Sequence, residues 1–259
     1  MASMNTKTLT QRALNVIDQY LHFKIGNAVC SIPYFNNKTT RTRGGLRVAI
    51  GKGSPKEIFE EVQDIVIKNH ISINALTNDS LKRLLADNNI GIDCSAFVYY
   101  VLNAESEERK KGHLDKHLSF TNCHGILGRI RCSLRPIENC NVATFANDKN
   151  SRSIPIKEIE PGDIITMKSE ENNRDHILVI HQIEYQNFIP ATIHYSHAIA
   201  YPEDSPYGSG IYQGEIQIIS PDKYITEQRW IEDNSEGNSN RLFIRAQKSK
   251  TEVRRLKWF

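Results

Sequence analysis

An apolar helix that begins on a cysteine is the feature that most constrains the fold of this chain. The stretch is Gly91-Ile92-Asp93-Cys94-Ser95-Ala96-Phe97-Val98-Tyr99-Tyr100-Val101-Leu102. Asp93 is a natural N-cap, because its carboxylate can accept a hydrogen bond from a free backbone N–H of the first turn. The apolar side chains recur at helical spacing, which predicts a helix anchored in a core while its first turn faces a cleft. Cys94 then lies at the positive end of the helix dipole, which favours thiolate over thiol. The alternative is a buried, inert cysteine.

Predicted helices precede this stretch and predicted strands follow it. Helical periodicity covers about residues 8–23 and, after the capping residue Ser54, about residues 55–69, and Asn78 or Asp79 caps a further short helix. Apolar runs predict strands at 163–167, 175–183, 191–199, 215–219 and 241–245. This order indicates an α+β fold with N-terminal helices packed on a central antiparallel β-sheet. We expect a single domain over residues 1–259, with a long insertion or lid at about 104–155.

Composition and charge argue against several classes of function. There is no apolar run of about 18 residues, so no membrane-spanning helix is expected. The net charge is +3 and the basic residues are spread along the chain, which gives no indication of nucleic-acid binding. The segment from Gly45 to Lys52 superficially resembles a phosphate-binding loop, but Gly53 stands where that loop requires Ser or Thr. The first residues lack the apolar core of a secretory signal, so we expect a cytoplasmic protein or the mature part of an exported one.

The five cysteines are odd in number and irregular in spacing. This pattern gives little support to a disulfide framework and fits a reducing compartment better. Cys123, Cys132 and Cys140 form no C-x-x-C pair, and their spacing is a poor match to zinc sites. We therefore expect neither a metal nor a cofactor.

A nucleophilic thiol requires a base, and the base requires a third group that fixes its tautomer. Of the nine histidines, His176 stands out because it opens a predicted strand directly after a turn. In the next strand His194 and Ser196 share one face, and His197 lies on the opposite face. If the two strands pair, we expect His194 to lie beside His176 and orient it, with Ser196 as the alternative.

Five motifs, in their order along the chain, resemble the NlpC/P60 family of cysteine peptidases. Asp93-Cys94-Ser95-Ala96-Phe97-Val98 resembles the D-C-S-G-F-V motif around the nucleophile of that family. Pro161-Gly162-Asp163-Ile164-Ile165 is similar to its P-G-D-L strand, and His176-Ile177-Leu178-Val179-Ile180 to its H-V-G-I-Y strand. Ile193-His194 resembles the strand that follows, and Ile32-Pro33-Tyr34-Phe35-Asn36-Asn37 resembles the P-Y-x-W-G-G segment. Ala96, Leu178 and Asn36-Asn37 stand where the family motifs have glycines.

The resemblance implies a papain-like fold and a thiol hydrolase that cleaves peptide or amide bonds, as family members do in the stem peptides of bacterial peptidoglycan. It implies Cys94 as the nucleophile, His176 as general base and acid, and His194 as the orienting group. Tyr34, Asp93 and Ser95 stand in supporting positions, and Ser196 is the alternative third member. The implied partner is a peptide or muropeptide substrate. Two alternatives stay open, a thiol acyltransferase and a non-catalytic binding module on the same scaffold, and the oligomeric state is open as well.

Overall fold

The computed structural model describes residues 4–36, 47–120, 123, 125–169, 174–201 and 203–259. Three of the segments considered above fall partly outside these described residues. They are Asn37 of the Tyr34 segment, Gly45 and Leu46 of the segment compared with a phosphate loop, and residues 121, 122 and 124 of the insertion.

The helices in the first half of the chain form where the periodicity predicts them. They are α1 (Gln11–Leu21), α2 (Pro55–Lys68), α3 (Asn78–Asp87) and α4 (Cys94–Glu108). Ser54 caps α2 as expected, because its hydroxyl accepts a hydrogen bond from the Glu57 N–H and the Glu57 carboxylate accepts one from the Ser54 N–H. Thr77 caps α3 in the same way, one residue before the position predicted.

The second half of the chain builds an antiparallel sheet around a long central hairpin. Its strands are β1 (Met4–Thr8), β4 (Ser151–Ser153), β5 (Ile164–Ser169), β6 (His176–Gln186), β7 (Ile189–Ile199), β8 (Gly210–Gln217), β9 (Arg229–Glu232), β10 (Ser235–Glu236) and β11 (Ser249–Leu256). Their order across the sheet is β10-β9-β8-β7-β6-β5-β11-β4, and β1 pairs with the far part of β6. A small hairpin of β2 (Phe23–Ile25) and β3 (Ala28–Cys30) lies apart from it. The α+β prediction is therefore confirmed, with a largely antiparallel sheet.

Alternate residues of β6 enter two different hydrophobic cores, one on each face of the sheet. Ile177 and Val179 pack in the core that contains α4, and Leu178 and Ile180 pack in the core on the opposite face. Trp230 on β9 is fully buried in that second core. Residues of even number near the start of β6 therefore face away from the cysteine helix. His176, the first residue of β6, is one of them.

One predicted strand is wrong. Residues 241–245 belong to a helix, α8 (Arg241–Gln247), capped by the side chain of Asn240, which accepts a hydrogen bond from the Phe243 N–H. The buried residues Leu242 and Ala246 are four apart and face the second core. A short apolar run fits either period, and here the cap and the packing on the sheet favour the helix.

The insertion after α4 is partly built into the main core. It contains α5 (Gly125–Leu134), α6 (Pro136–Asn139) and α7 (Val142–Phe145). Ile137, Val142 and Phe145 are buried against the residues of α4. This packing places Cys140, a residue of the insertion, beside the start of α4. Across the described residues, no helix combines the length and apolar character needed to cross a membrane.

Candidate active site

Cys94 is the first residue of α4, as predicted, and Asp93 is its N-cap. Asp93 Oδ1 accepts a hydrogen bond from the Ala96 N–H at 2.8 Å, while the Asp93 N–H donates to the Gly51 carbonyl at 2.9 Å. Gly51 has a φ of 73°, a left-handed conformation that glycine adopts without strain. The turn at Gly51 thus fixes the backbone that delivers the cysteine to the helix start.

A buried lysine lies beneath this helix start. Lys52 is 6% exposed, and its ammonium group contacts Asp93 Oδ2 at 2.7 Å. The same group donates to Ser95 Oγ and to the Cys140 carbonyl, both at 2.8 Å. All three ammonium hydrogens are thereby satisfied within the protein, so Lys52 is committed to this internal network. The network links the helix start to the insertion at Cys140, and no local pattern in the sequence indicates it.

A chain of hydrogen bonds runs from His176 through the neighbouring strands on the second face of the sheet. His176 Nε2 lies 2.8 Å from His197 Nδ1, and His197 Nε2 lies 2.8 Å from Glu232 Oε2. The Tyr201 hydroxyl donates to the other carboxylate oxygen, Glu232 Oε1, at 3.1 Å. His176 and His197 are 1% and 0% exposed, so these hydrogen bonds are shielded from water. His197 therefore occupies the position expected for the orienting group.

The predicted neighbours of His176 lie elsewhere, so the prediction that His194 contacts it is wrong. His194 Nε2 is 3.0 Å from Glu184 Oε1, at a partly exposed position farther along the hairpin. Ser196, the alternative, bonds instead to His181, with 3.0 Å between Oγ and Nδ1. Both side chains lie on the opposite face of β7 from the His176 ring.

The geometry of the hairpin explains this difference. Asn187 and Phe188 both have positive φ values, 52° and 66°, and form the turn between β6 and β7. Counting both strands from this turn places His197 diagonally across from His176 on the same face of the sheet, and places His194 on the opposite face. The signal was present in the sequence, because Asn187 marks the turn, but the strand register had to be counted from it.

Cys94 approaches the first residues of β6 from the other side. The backbone of Ile177, the residue directly after His176, lies close enough to Cys94 to lower the pKa of its thiol. Within the described residues, Cys94 Sγ and the His176 ring share no direct hydrogen bond. His176 uses Nε2 to bind His197, which leaves Nδ1 as the atom that can receive a thiol proton.

Burial dominates the protonation of both groups. It raises the pKa of Cys94 to about 12, and the negative charge of Asp93 acts in the same direction. Burial also lowers the pKa of His176 well below its ordinary value, and the positive charge of Arg245 lowers it further. Near neutral pH the resting site therefore holds a neutral Cys94 thiol and a neutral His176 imidazole. The expectation that the helix start favours thiolate is not met, because desolvation outweighs the helix dipole and the charges of Arg245 and Lys52.

Tyr34 lies beside the helix start. It forms a parallel bridge with Ile92, two residues before Cys94, and its hydroxyl accepts a hydrogen bond from Asn36 Nδ2 at 3.4 Å. Burial raises the pKa of this hydroxyl above its ordinary value, and the charge of a Cys94 thiolate adds to that effect. Tyr34 thus supplies a neutral O–H group near the thiol.

The other cysteines are distributed between one disulfide and two free thiols. Cys123 and Cys132 form a disulfide with 6.2 Å between their Cα atoms, a pairing that their spacing had not predicted. The disulfide removes both thiols from any zinc site, and the described part of the chain holds no cluster of three or more His, Cys, Asp or Glu suited to a metal. Cys30 and Cys140 are free, and Cys140 is 1% exposed.

The buried histidines predict a loss of stability in mild acid. His176 has a lowered pKa, and burial together with the neighbouring His194 lowers the pKa of His181 to about 4. Between these values and the ordinary 6.5 the unfolded chain binds more protons than the folded one, so the free energy of unfolding falls as pH drops below about 6.5. Each histidine contributes at most ~1.4 kcal/mol per pH unit. Urea unfolding at several pH values measures this slope, and His181→Asn is expected to remove its share. A stability that stays flat from pH 6.5 to pH 5 would contradict the assignment.

Comparison with known proteins gives no match to a protein-family model, to a curated protein or to a solved structure.

Proposed function

We propose that the chain is a cysteine hydrolase of peptide or amide bonds with an NlpC/P60-like, papain-like fold. Cys94 is the nucleophile, His176 the general base and acid, and His197 the orienting group. The observation that carries the proposal is the buried pair of imidazoles, in which His197 binds His176 through Nε2 at the strand end where the backbone of the next residue, Ile177, acts on Cys94. Such an arrangement has the parts that a thiol nucleophile needs.

The chemistry proceeds through a thioester. The thiol proton of Cys94 passes to His176 Nδ1 as Sγ attacks the carbonyl carbon of the substrate. The Cys94 N–H, one of the first-turn donors that no helix carbonyl satisfies, stabilises the developing oxyanion. His176 then gives its proton to the leaving amine as the carbon–nitrogen bond breaks, which leaves the thioester. Water attacks the thioester carbonyl while His176 takes a proton from it, the carbon–sulfur bond breaks to release the acid, and the proton on His176 returns to Cys94 Sγ. Tyr34 supplies an O–H beside the same carbonyl.

Substrate binding must open the site for this chemistry. Cys94 is 5% exposed and His176 is 1% exposed. Hydrogen bonds between catalytic groups are often long in the absence of substrate and shorten in the Michaelis complex. The proposal therefore includes a movement that exposes Cys94 and brings Sγ to His176 Nδ1.

A non-catalytic binding module is the second candidate, and the same burial favours it. A closed site without a direct thiol–imidazole hydrogen bond is what a protein that binds a partner without catalysis would have. Against this candidate stands the ionised Glu232 at the end of the imidazole chain. A binding surface gains nothing from a carboxylate that acts on a buried histidine pair.

Digestion of defined substrates tests the proposed function. Muropeptides and simple peptide amides are incubated with the wild type, with Cys94→Ala and with Cys30→Ala, and the products are identified by mass spectrometry. We expect cleavage by the wild type and by Cys30→Ala, whose missing thiol lies on β3 outside the site, and none by Cys94→Ala. Cleavage that persists in Cys94→Ala would overturn the assignment of the nucleophile. Transfer to an added amine in place of hydrolysis would identify an acyltransferase.

A further inference from the structure

We infer that Glu232 is a positioning residue that acts through His197 to keep His176 in the tautomer with an unprotonated Nδ1. The inference rests on the proposed function, since it assigns a role within the same site. Glu232 is not next to the thiol and belongs to none of the motifs that led to Cys94 and His176. Its carboxylate is nevertheless joined to the His176 ring by two consecutive contacts of 2.8 Å.

When His197 is neutral, as the inference takes it to be in the resting site, the direction of each hydrogen bond between His176, His197 and Glu232 follows from the carboxylate. Although burial alone would raise it, the electrostatic influence of the adjacent His197 and the hydrogen bonds from His197 and Tyr201 hold the pKa of Glu232 below its ordinary value. An ionised carboxylate only accepts, so His197 Nε2 must carry the hydrogen. In a neutral imidazole the other nitrogen then has a lone pair, so His197 Nδ1 accepts from His176 Nε2–H. Neutral His176 has its single hydrogen on Nε2, and Nδ1 is free to take a proton.

The surroundings of Glu232 hold the carboxylate in this orientation. Tyr201 occupies its second oxygen at 3.1 Å, and Glu232 itself is 6% exposed at the end of β9. Trp230, two residues earlier on the same strand, is fully buried in the second core and anchors β9 there. Both oxygens therefore have partners, and the carboxylate cannot rotate away from His197 without losing one of them.

The Glu232 carboxylate also stabilises His176 when His176 carries a positive charge during the reaction. When His176 takes the thiol proton at Nδ1, the ring becomes a cation in a site that excludes water. Its Nε2–H still donates to His197, and the charge of Glu232 lies one imidazole ring away. An oriented negative charge at this distance stabilises the imidazolium without being protonated itself.

Glu232→Gln tests the inference, with Glu184→Gln as the matched control. Glutamine keeps the shape but offers an N–H₂ group as well as an oxygen, so it no longer enforces one direction. Glu184 also contacts a histidine on the adjacent strand, His194, but it is not part of the hydrogen-bonded series His176–His197–Glu232. Correlation spectra of ¹⁵N-labelled imidazoles are expected to show the Nε2–H tautomer of His176 in the wild type and in Glu184→Gln, and a mixed or reversed tautomer in Glu232→Gln.

Thiol reactivity gives a second readout. In Glu232→Gln, iodoacetamide is expected to modify Cys94 more slowly than in the wild type. The decrease should be at least about 10-fold and at most the ~10⁴-fold loss typical of a catalytic histidine held in the wrong tautomer. Its pH profile is expected to move to higher pH, because a weaker base takes the thiol proton less readily. If Glu232→Gln does not fold, Tyr201→Phe, which frees one carboxylate oxygen, should show a smaller change in the same direction.

The outcomes separate this inference from the proposed function. A wild-type His176 with its hydrogen on Nδ1, or a Glu232→Gln protein with unchanged tautomer and unchanged thiol profile, overturns the role of Glu232 and leaves the Cys94 chemistry standing. An inert Cys94 in the wild type overturns the proposed function first, whatever the tautomer of His176.

Discussion

Replacement of His176 by Gln is expected to lower substrate turnover by about 10⁴- to 10⁶-fold, the range found when one member of a nucleophile–base–orienter set is removed. Glutamine is close to histidine in size and can donate to His197 Nδ1, so the buried chain to Glu232 keeps its partner. What is lost is a group that can hold a proton at Nδ1. The effect should therefore appear in kcat rather than in substrate binding.

His181→Gln is the matched control for this variant. His181 lies five residues along the same strand, is also mostly buried, and bonds to Ser196 instead of the chain to Glu232. We expect its turnover to stay within a few-fold of the wild type. Equal losses in the two variants would show that any buried histidine of β6 supports activity through stability alone, and the role given to His176 would then fail.

Lys52→Met is expected to lower the free energy of unfolding by about 3–5 kcal/mol, the cost of leaving one charge of a buried pair without its partner. Methionine matches the apolar part of lysine but has no charge to pair with Asp93, which Lys52 contacts at 2.7 Å. It also has no N–H to donate to the Cys140 carbonyl. The start of α4 should loosen at the same time, because Asp93 is also its N-cap. Urea unfolding followed by circular dichroism measures the change.

Two further variants make this prediction specific to the buried pair. Lys52→Met combined with Asp93→Asn is expected to recover most of the lost stability, because asparagine still caps a helix and carries no charge. Lys56→Met, four residues along in α2, removes an exposed lysine that lies 3.7 Å from Glu60 and should change stability by no more than about 0.5 kcal/mol. A loss in the double variant as large as in Lys52→Met alone would contradict the ion-pair account.

Local features of the sequence were enough to predict the helices that carry or support the site. The Ser54–Glu57 capping box and the Asp93 cap each act within one turn, so the sequence alone locates both helix starts. His176 at the start of β6 is also a local feature. The resting thiol was harder to predict, because its protonation depends on burial that only the folded chain produces.

The partners that complete the site are distant in sequence and depend on the order of the strands. Glu232 on β9 contacts His197 on β7 across the intervening strand β8, and no residue pattern in the sequence indicates this strand order. Lys52 reaches Asp93 across 41 positions through the turn at Gly51. The C-terminal strand β11, inserted between β5 and β4, was likewise not predicted, since pairing between distant segments has no local signature.

The relative reactivity of Cys94 and Cys140 tests the central claim most directly. Both are free and buried, and burial raises the pKa of each to about 12, but in the proposed function only Cys94 has a general base, His176, to take its proton. The wild type is treated with iodoacetamide near pH 7, and the modified peptides are quantified over time by mass spectrometry. We predict that Cys94 reacts at least ~10²-fold faster than Cys140, as general-base assistance allows, and that His176→Gln removes the difference. Equal rates at the two cysteines in the wild type would contradict an activated thiol at Cys94.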